Sequence, residues 1–197
     1  MINPNTVTNF NRTDAELQEF LLFCIVVAGK NSQVQAKKLN EFLTSDESVA
    51  DESPFGKIQI WTAKDELTTR LMGCKMGQYT RLTKTFSNVA DTVMDLTNVS
   101  VAILQNIVGL KTARFFLMHS RAGFRCATLD THILAWLNTQ GVEAPKATPS
   151  NLNKYLSLEA KYLSICDERG LDPAALDLEI WKSRQVSVAA KELSTVA

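Results

Sequence analysis

Apolar residues recur at three- and four-residue spacing along most of the chain, and Gly, Pro, Ser and Asx residues punctuate the runs. That period predicts helices rather than strands. Thr13-Asp14-Ala15-Glu16 has the form of a capping box, in which the Thr hydroxyl and the Glu carboxylate satisfy reciprocal backbone donors. It opens a helix through Leu17, Phe20, Leu21, Phe23, Cys24 and Val27 that is apolar on more than one face, hence buried, and ends at Gly29. Ser32 caps a second helix carrying Val34, Leu39, Phe42 and Leu43, with Lys37 and Lys38 on its wet side. Residues 1–12 are polar and predict a flexible N-terminal arm, and residues 44–54 an acidic loop.

Phe55 to Trp61 breaks the pattern: Ile58 and Ile60 alternate with Lys57 and Gln59, which predicts a short strand or an extended link. Further helices are predicted from Thr62 to near Gly73, Gly77 to Asn88, Ala90 to Leu96 and Ser100 to Asn106. From Ile103 to Leu137 the pattern reads helix, tight turn at Gly109, helix from Lys111, loop, and helix from Thr131 to Thr139. Thr148-Pro149 supplies a cap and an N1 proline for a long helix ending at Gly170, and Asp172-Pro173 repeats the device for the last helix. A loose tail follows from residue 187. The fold class is all-α, with no internal repeat.

Length and composition allow a substantial core, since the chain has 197 residues and is 45% hydrophobic. Net charge is zero with a pI near 6.7, which argues against a generally basic nucleic-acid coat protein. The distribution is uneven. Between Arg70 and Arg125 there are eight basic residues and two acidic ones, a net +6 that the rest of the chain must offset with −6. A basic segment between acidic flanks suits a protein that grips phosphates on one face, although solvated charges can also cluster by chance. Cys24, Cys74, Cys126 and Cys166 are widely separated and form no C-x-x-C pair, so neither a zinc site nor a redox motif is predicted. There is no signal-peptide pattern and no apolar run of membrane-spanning length, which predicts an intracellular, cytoplasmic or nucleoid-associated protein with reduced thiols and no membrane partner.

Within the central stretch an amine, Lys111, and a carboxylate, Asp130, each stand at the N-terminal end of a helix. A helix from Lys111 to about Ser120 advances roughly 13 Å at ~1.5 Å per residue. The loop from Ser120 to Leu129 can return over that distance at ~3.3 Å per residue. The two groups can therefore share one cleft. Singly, each has a plain explanation: a first-turn lysine is ordinarily solvated, and an aspartate before an apolar run is ordinarily an N-cap.

Together, Val108-Gly109-Leu110-Lys111-Thr112-Ala113 and Leu129-Asp130-Thr131-His132 resemble the helix-hairpin-helix DNA glycosylase superfamily, which includes endonuclease III and the 8-oxoguanine glycosylases. Its pattern is Leu-Pro-Gly-Val-Gly-x-Lys-x-Ala followed by Val/Leu-Asp-x-His about nineteen residues after the lysine, the step that separates Lys111 from Asp130 here. Gly77-Gln78-Tyr79 with Arg81 resembles the family's Gly-x-Tyr-x-x-Lys/Arg helix start, and Leu21 to Leu39 its early helix pair. The chain departs from the pattern at Asn106-Ile107, where the family has Pro-Gly.

The resemblance implies two helical lobes flanking a cleft: one of roughly residues 30–125, the other made by the N-terminal helix with 126–186, within a glycosylase domain spanning 13–186. It implies a bifunctional DNA glycosylase/AP lyase that acts as a monomer on double-stranded DNA carrying a damaged base, 8-oxoguanine first, or an abasic site. Lys111 would be the nucleophile and Asp130 its electrostatic and proton-transfer partner. Solution lysine has a pKa of about 10.4. The neutral amine that attack requires would be favoured by the positive helix end, Arg114 and desolvation under bound DNA. Val108, Gly109, Leu110, Thr112, His132 and Arg81 would contact DNA, and Trp181, Gln33, Phe115 and Lys30 would line or serve the base pocket. Trp61, Phe55 and Phe116 are further aromatic candidates. Some members hold a monovalent cation on hairpin carbonyls, here those of Ile103, Gln105 and Val108. Others carry an iron–sulfur cluster on closely spaced C-terminal cysteines; only Cys166 falls there, so no cluster and no cofactor are expected. Two rival classes remain. A non-catalytic hairpin DNA-binding protein has no need to keep Lys111 and Asp130 together. A helical interaction protein predicts no salt-dependent DNA affinity.

Overall fold

The computed structural model describes the backbone of residues 1–194 and the side chains of residues 1–183. Those residues form ten α-helices, one 3-10 turn and no strand. The chain divides into two compact units, Met1–Ala122 and Gly123–Ala197.

The first unit contains α1 (Asp14–Val26), α2 (Ser32–Thr44), α3 (Pro54–Ala63), α4 (Leu67–Gly73), α5 (Tyr79–Asp91), α6 (Val101–Val108) and α7 (Leu110–Ser120). The capping box at Thr13 and Glu16 is present and launches α1, whose residues Phe20 through Val26 are all buried. Burial at about 1.5–3 kcal/mol per large apolar side chain makes α1 the spine of this unit. It packs on α2, α3, α5 and α7. Phe20 meets Phe116 at 5.7 Å between ring centroids, and Phe42 meets Trp61 at 4.9 Å and Phe86 at 5.8 Å.

The polar N-terminal segment is tied down rather than loose. Val7 is buried, the Asn9 amide donates to the His119 carbonyl at 3.0 Å, and Thr8 Oγ1 meets His119 Nδ1 at 2.8 Å. Arg12 lies over the Phe20 ring at 3.9 Å and donates to the carbonyls of Val7 and His119.

Several local expectations change. Phe55 to Trp61 is helical: Ser53 Oγ accepts the Gly56 amide at 3.1 Å, Pro54 sits at the first helical position, and Phe55, Ile58 and Trp61 are buried at three-residue spacing. The helix expected from Thr62 is interrupted at Asp65, which has φ +58°. Asn31, not Ser32, caps α2. Residues 92–100 are not helical, because Asp95 folds its carboxylate onto the Thr97 amide and the Asn98 side chain, a local turn that competes with helix. The acidic loop contains the 3-10 turn Glu47–Val49 and is anchored through Asp46. That carboxylate accepts hydrogen bonds from Ser48 and from Trp61 Nε1 at 3.0 Å, and forms an ion pair with Arg70 at 2.7 Å.

The second unit contains α8 (Thr131–Thr139), α9 (Leu152–Arg169) and α10 (Pro173–Ser194). Its core joins Leu129, Ile133, Leu134 and Leu137 to Tyr155, Tyr162 and Cys166, and Trp136 meets Tyr162 edge-on at 5.7 Å. Helix α9 begins three residues later than Thr148-Pro149 suggests, capped by Asn151, because the Thr148 hydroxyl donates to the Leu129 carbonyl at 2.6 Å. Helix α10 runs to Ser194, through most of the stretch expected to be a tail; residues 195–197 lie outside the described residues. Among the described residues no helix is long and apolar enough to cross a membrane.

Candidate active site

In the first unit, α6 and α7 form the hairpin. Gly109 is at once the C-cap of α6 and the N-cap of α7, with φ +89° and ψ 161°. L-residues rarely adopt that conformation, and since a Cβ would meet nothing within 4 Å, the requirement for glycine is one of backbone angle rather than space. The Arg114 guanidinium, buried, donates to Gln105 Oε1 and to the Leu110 carbonyl, both at 3.2 Å, and so fixes one helix against the other. Helix α7 has no side-chain cap, which leaves the amides of Leu110, Lys111 and Thr112 at its positive end, beside the exposed Gly109 and the half-buried Val108. Lys111, half-buried, is the second residue of α7, and its amine makes no hydrogen bond or ion pair among the described residues.

In the second unit, Asp130 is the N-cap of α8. Its Oδ1 accepts the amides of His132 at 2.8 Å and Ile133 at 2.9 Å. Its other oxygen, Oδ2, makes no hydrogen bond among the described residues. The carboxylate is thus anchored by one atom and open at the other. His132 is half-buried in the first turn of α8 and makes no side-chain hydrogen bond among the described residues.

A basic cluster gathers around the turn before α5, where Lys75, Gly77 and Gln78 all have positive φ. Lys30 Nζ donates to the Met76 carbonyl at 2.5 Å and Lys38 Nζ to that of Lys75 at 2.6 Å. Arg81 donates to Gln78 Oε1 at 2.6 Å and to the Ile25 carbonyl at 3.1 Å. Burial, then the charges of Arg81 and Lys38, hold the Lys30 ammonium below the usual lysine range. Lys30 and Arg81, expected at the DNA and pocket sites, therefore stand close together. The basic surplus between Arg70 and Arg125 is only partly available. Arg70 pairs with Asp46 and Glu66, Arg125 pairs with Asp167, Arg114 is buried, and Arg121 donates to the Val99 carbonyl.

The remaining pocket candidates disperse. Gln33 is on the exposed side of α2. On the same helix Ser32 Oγ and Gln35 Oε1 are buried without a hydrogen-bond partner, and the sequence reading missed both. Phe115 is half-buried, with its ring 4.5 Å from that of His119 and 6.2 Å from that of Phe20. Trp61, Phe55 and Phe116 are core residues. Trp181 is half-buried on α10, in the second unit. Of the carbonyls expected for a monovalent cation, on Ile103, Gln105 and Val108, that of Gln105 accepts the Gly109 amide at 2.9 Å. None of the four cysteines is in a disulfide, and Cys24, Cys126 and Cys166 are buried.

The helices, with the Gly109 turn in the first unit and the Asp130-capped helix in the second, make an all-α fold among the described residues. Two solved structures are similar to the chain along most of its length. One is Methanocaldococcus jannaschii 8-oxoguanine glycosylase/lyase in complex with a 15mer DNA containing 8-oxoguanine: TM-score 0.62 and 23% identity over 89% of this chain and 83% of that one. The other is the 8-oxoguanine DNA glycosylase of the same organism, with TM-score 0.61 and 24% identity over 91% of this chain and 83% of that one. No family model matches the chain.

Proposed function

We propose that this protein is a bifunctional DNA glycosylase/AP lyase that removes a damaged base, 8-oxoguanine being the first candidate, from double-stranded DNA. The observation that carries the reading is the state of its two expected catalytic groups. Lys111 offers an amine with no partner at the head of the hairpin helix, and Asp130 offers one unengaged carboxylate oxygen on an anchored side chain. A lysine serving only packing or solvation has no need of that place in the hairpin. The 8-oxoguanine glycosylase/lyase whose fold the chain shares supports the lesion class.

The chemistry follows from those groups. The amides at the start of α7 hold a backbone phosphate, and the basic groups Lys30 and Arg81 add to the grip. The damaged nucleotide is turned out of the stack, since its glycosidic bond is inaccessible within the duplex. The neutral Lys111 amine forms a bond to C1′ as the bond from C1′ to the base breaks, and the base leaves with that electron pair and takes up a proton. Asp130 Oδ2 stabilises the positive charge growing on the sugar and relays protons. Ring opening gives a Schiff base between Lys111 and C1′. Loss of a C2′ proton then expels the 3′ phosphate and nicks the strand, and water releases the enzyme.

Single-turnover assays on a duplex with one 8-oxoguanine test this. The wild type is expected to release the base and nick the strand, and Lys111→Gln to do neither. Excision without nicking would reject the lyase assignment, and excision retained in Lys111→Gln would reject the nucleophile.

A further inference from the structure

The carboxylate of Asp130 ends an extended segment that belongs to no helix, so something else must set its aim. Cys126, Ala127, Thr128 and Leu129 are buried. Their backbone groups cannot reach water and need partners. Helix α9 supplies three of these partners. The Tyr155 hydroxyl donates to the Ala127 carbonyl at 2.8 Å and accepts the Leu129 amide at 3.1 Å. One turn further along the same face, buried Glu159 presents Oε1 to the Ala127 amide at 3.0 Å. Thr148 closes the remaining side by donating to the Leu129 carbonyl at 2.6 Å. A single phenolic oxygen thus bridges Ala127 and Leu129 across Thr128, up to the residue immediately before Asp130, and the Asp130 amide itself turns back onto the Thr128 carbonyl at 2.6 Å.

We propose that Tyr155 is a positioning residue for Asp130: by bonding both Ala127 and Leu129 it fixes the segment that delivers the carboxylate to the head of α8. This role rests on the glycosylase reading above. A helix that merely packed could place phenylalanine at position 155 and leave the segment to find other bonds. The hydroxyl matters because misplacing a catalytic group by about 1 Å can cost about a hundredfold in rate.

Tyr155→Phe keeps the ring and removes the two bonds. Tyr162→Phe is the matched control: it lies on the same helix, is equally buried, and its hydroxyl donates to the Pro173 carbonyl at 2.9 Å rather than to the Asp130 segment. Both are compared with the wild type by single-turnover excision at saturating DNA, at a temperature where thermal melts show all three folded. Amide hydrogen exchange over residues 127–133 is read alongside. Tyr155→Phe is expected to lower the rate by about ten- to a hundredfold with DNA affinity unchanged, and to speed exchange in that segment. Tyr162→Phe is expected to do neither. Glu159→Gln, which retains an acceptor oxygen, is expected to keep more of the rate than Glu159→Ala.

An active wild type with an unchanged rate or unchanged exchange in Tyr155→Phe overturns the positioning role alone, as does an equal loss in both tyrosine variants. A wild type that neither excises any lesion nor forms a trapped adduct overturns the glycosylase reading, and the positioning role with it.

Discussion

Asp130 Oδ1 accepts the Ile133 amide at 2.9 Å, which makes this carboxylate the N-cap of α8 as well as the proposed partner of the reacting sugar. Asparagine caps a helix as well as aspartate does, whereas alanine costs about 1 kcal/mol. Asp130→Asn is therefore expected to melt with the wild type yet lose about a hundredfold or more in excision rate. Asp130→Ala is expected to lose both. Thermal melts beside single-turnover rates separate the two roles.

Gly109 joins α6 to α7 at φ +89°. Gly109→Ala forces an L-residue into that region at a cost of about 1–3 kcal/mol. The strain falls on the turn that presents the α7 amides. Duplex affinity measured by fluorescence anisotropy is expected to drop for damaged and undamaged DNA alike, because a phosphate contact carries no sequence information.

Arg81, in the first turn of α5, and Lys30, between α1 and α2, both bond residues of the turn that carries Lys75, Gly77 and Gln78 at positive φ. If Arg81 contacts a phosphate, Arg81→Ala should lower affinity and reduce the slope of log K against log salt by about 0.9. An unchanged slope would assign the guanidinium to holding the Ile25 carbonyl alone.

Asp46 gives a pH prediction. Hydrogen bonds from Ser48 and Trp61, helped by the nearby Arg70 charge, hold its carboxyl down at about 2. A depressed folded-state value means stabilisation that is complete above the unfolded value of about 3.9 and is lost as pH falls through the folded one. The stability difference between wild type and Asp46→Asn is expected to be constant near neutrality and to shrink between about pH 4 and pH 2. Denaturant melts across that range check it.

What the sequence made legible was local. The capping box at Thr13 and Glu16, the Gly109 turn, and α8 from Thr131 to Thr139 depend on neighbours a few positions away, and each stands where the pattern put it. Phe55 to Trp61 was misread because seven residues cannot separate alternation from a helix buried at every third position; the stronger signal was the Ser53-Pro54 start. The N-terminal segment reads as a loose arm until Asn9 and Thr8 meet His119, more than a hundred residues away. Tyr155 and Glu159 were legible only as part of an amphipathic helix, since their partners at Ala127 and Leu129 lie far off in sequence. The one available hint was an acid, Glu159, on the otherwise apolar face of α9.

The most direct test of the central claim is borohydride trapping on duplexes carrying an abasic site or 8-oxoguanine, with Lys111→Gln beside the wild type. A covalent protein–DNA adduct in the wild type that disappears in Lys111→Gln is the predicted result, and the duplex that traps best identifies the preferred lesion. An adduct that survives in Lys111→Gln, or none in the wild type across a wider lesion panel, would contradict the account.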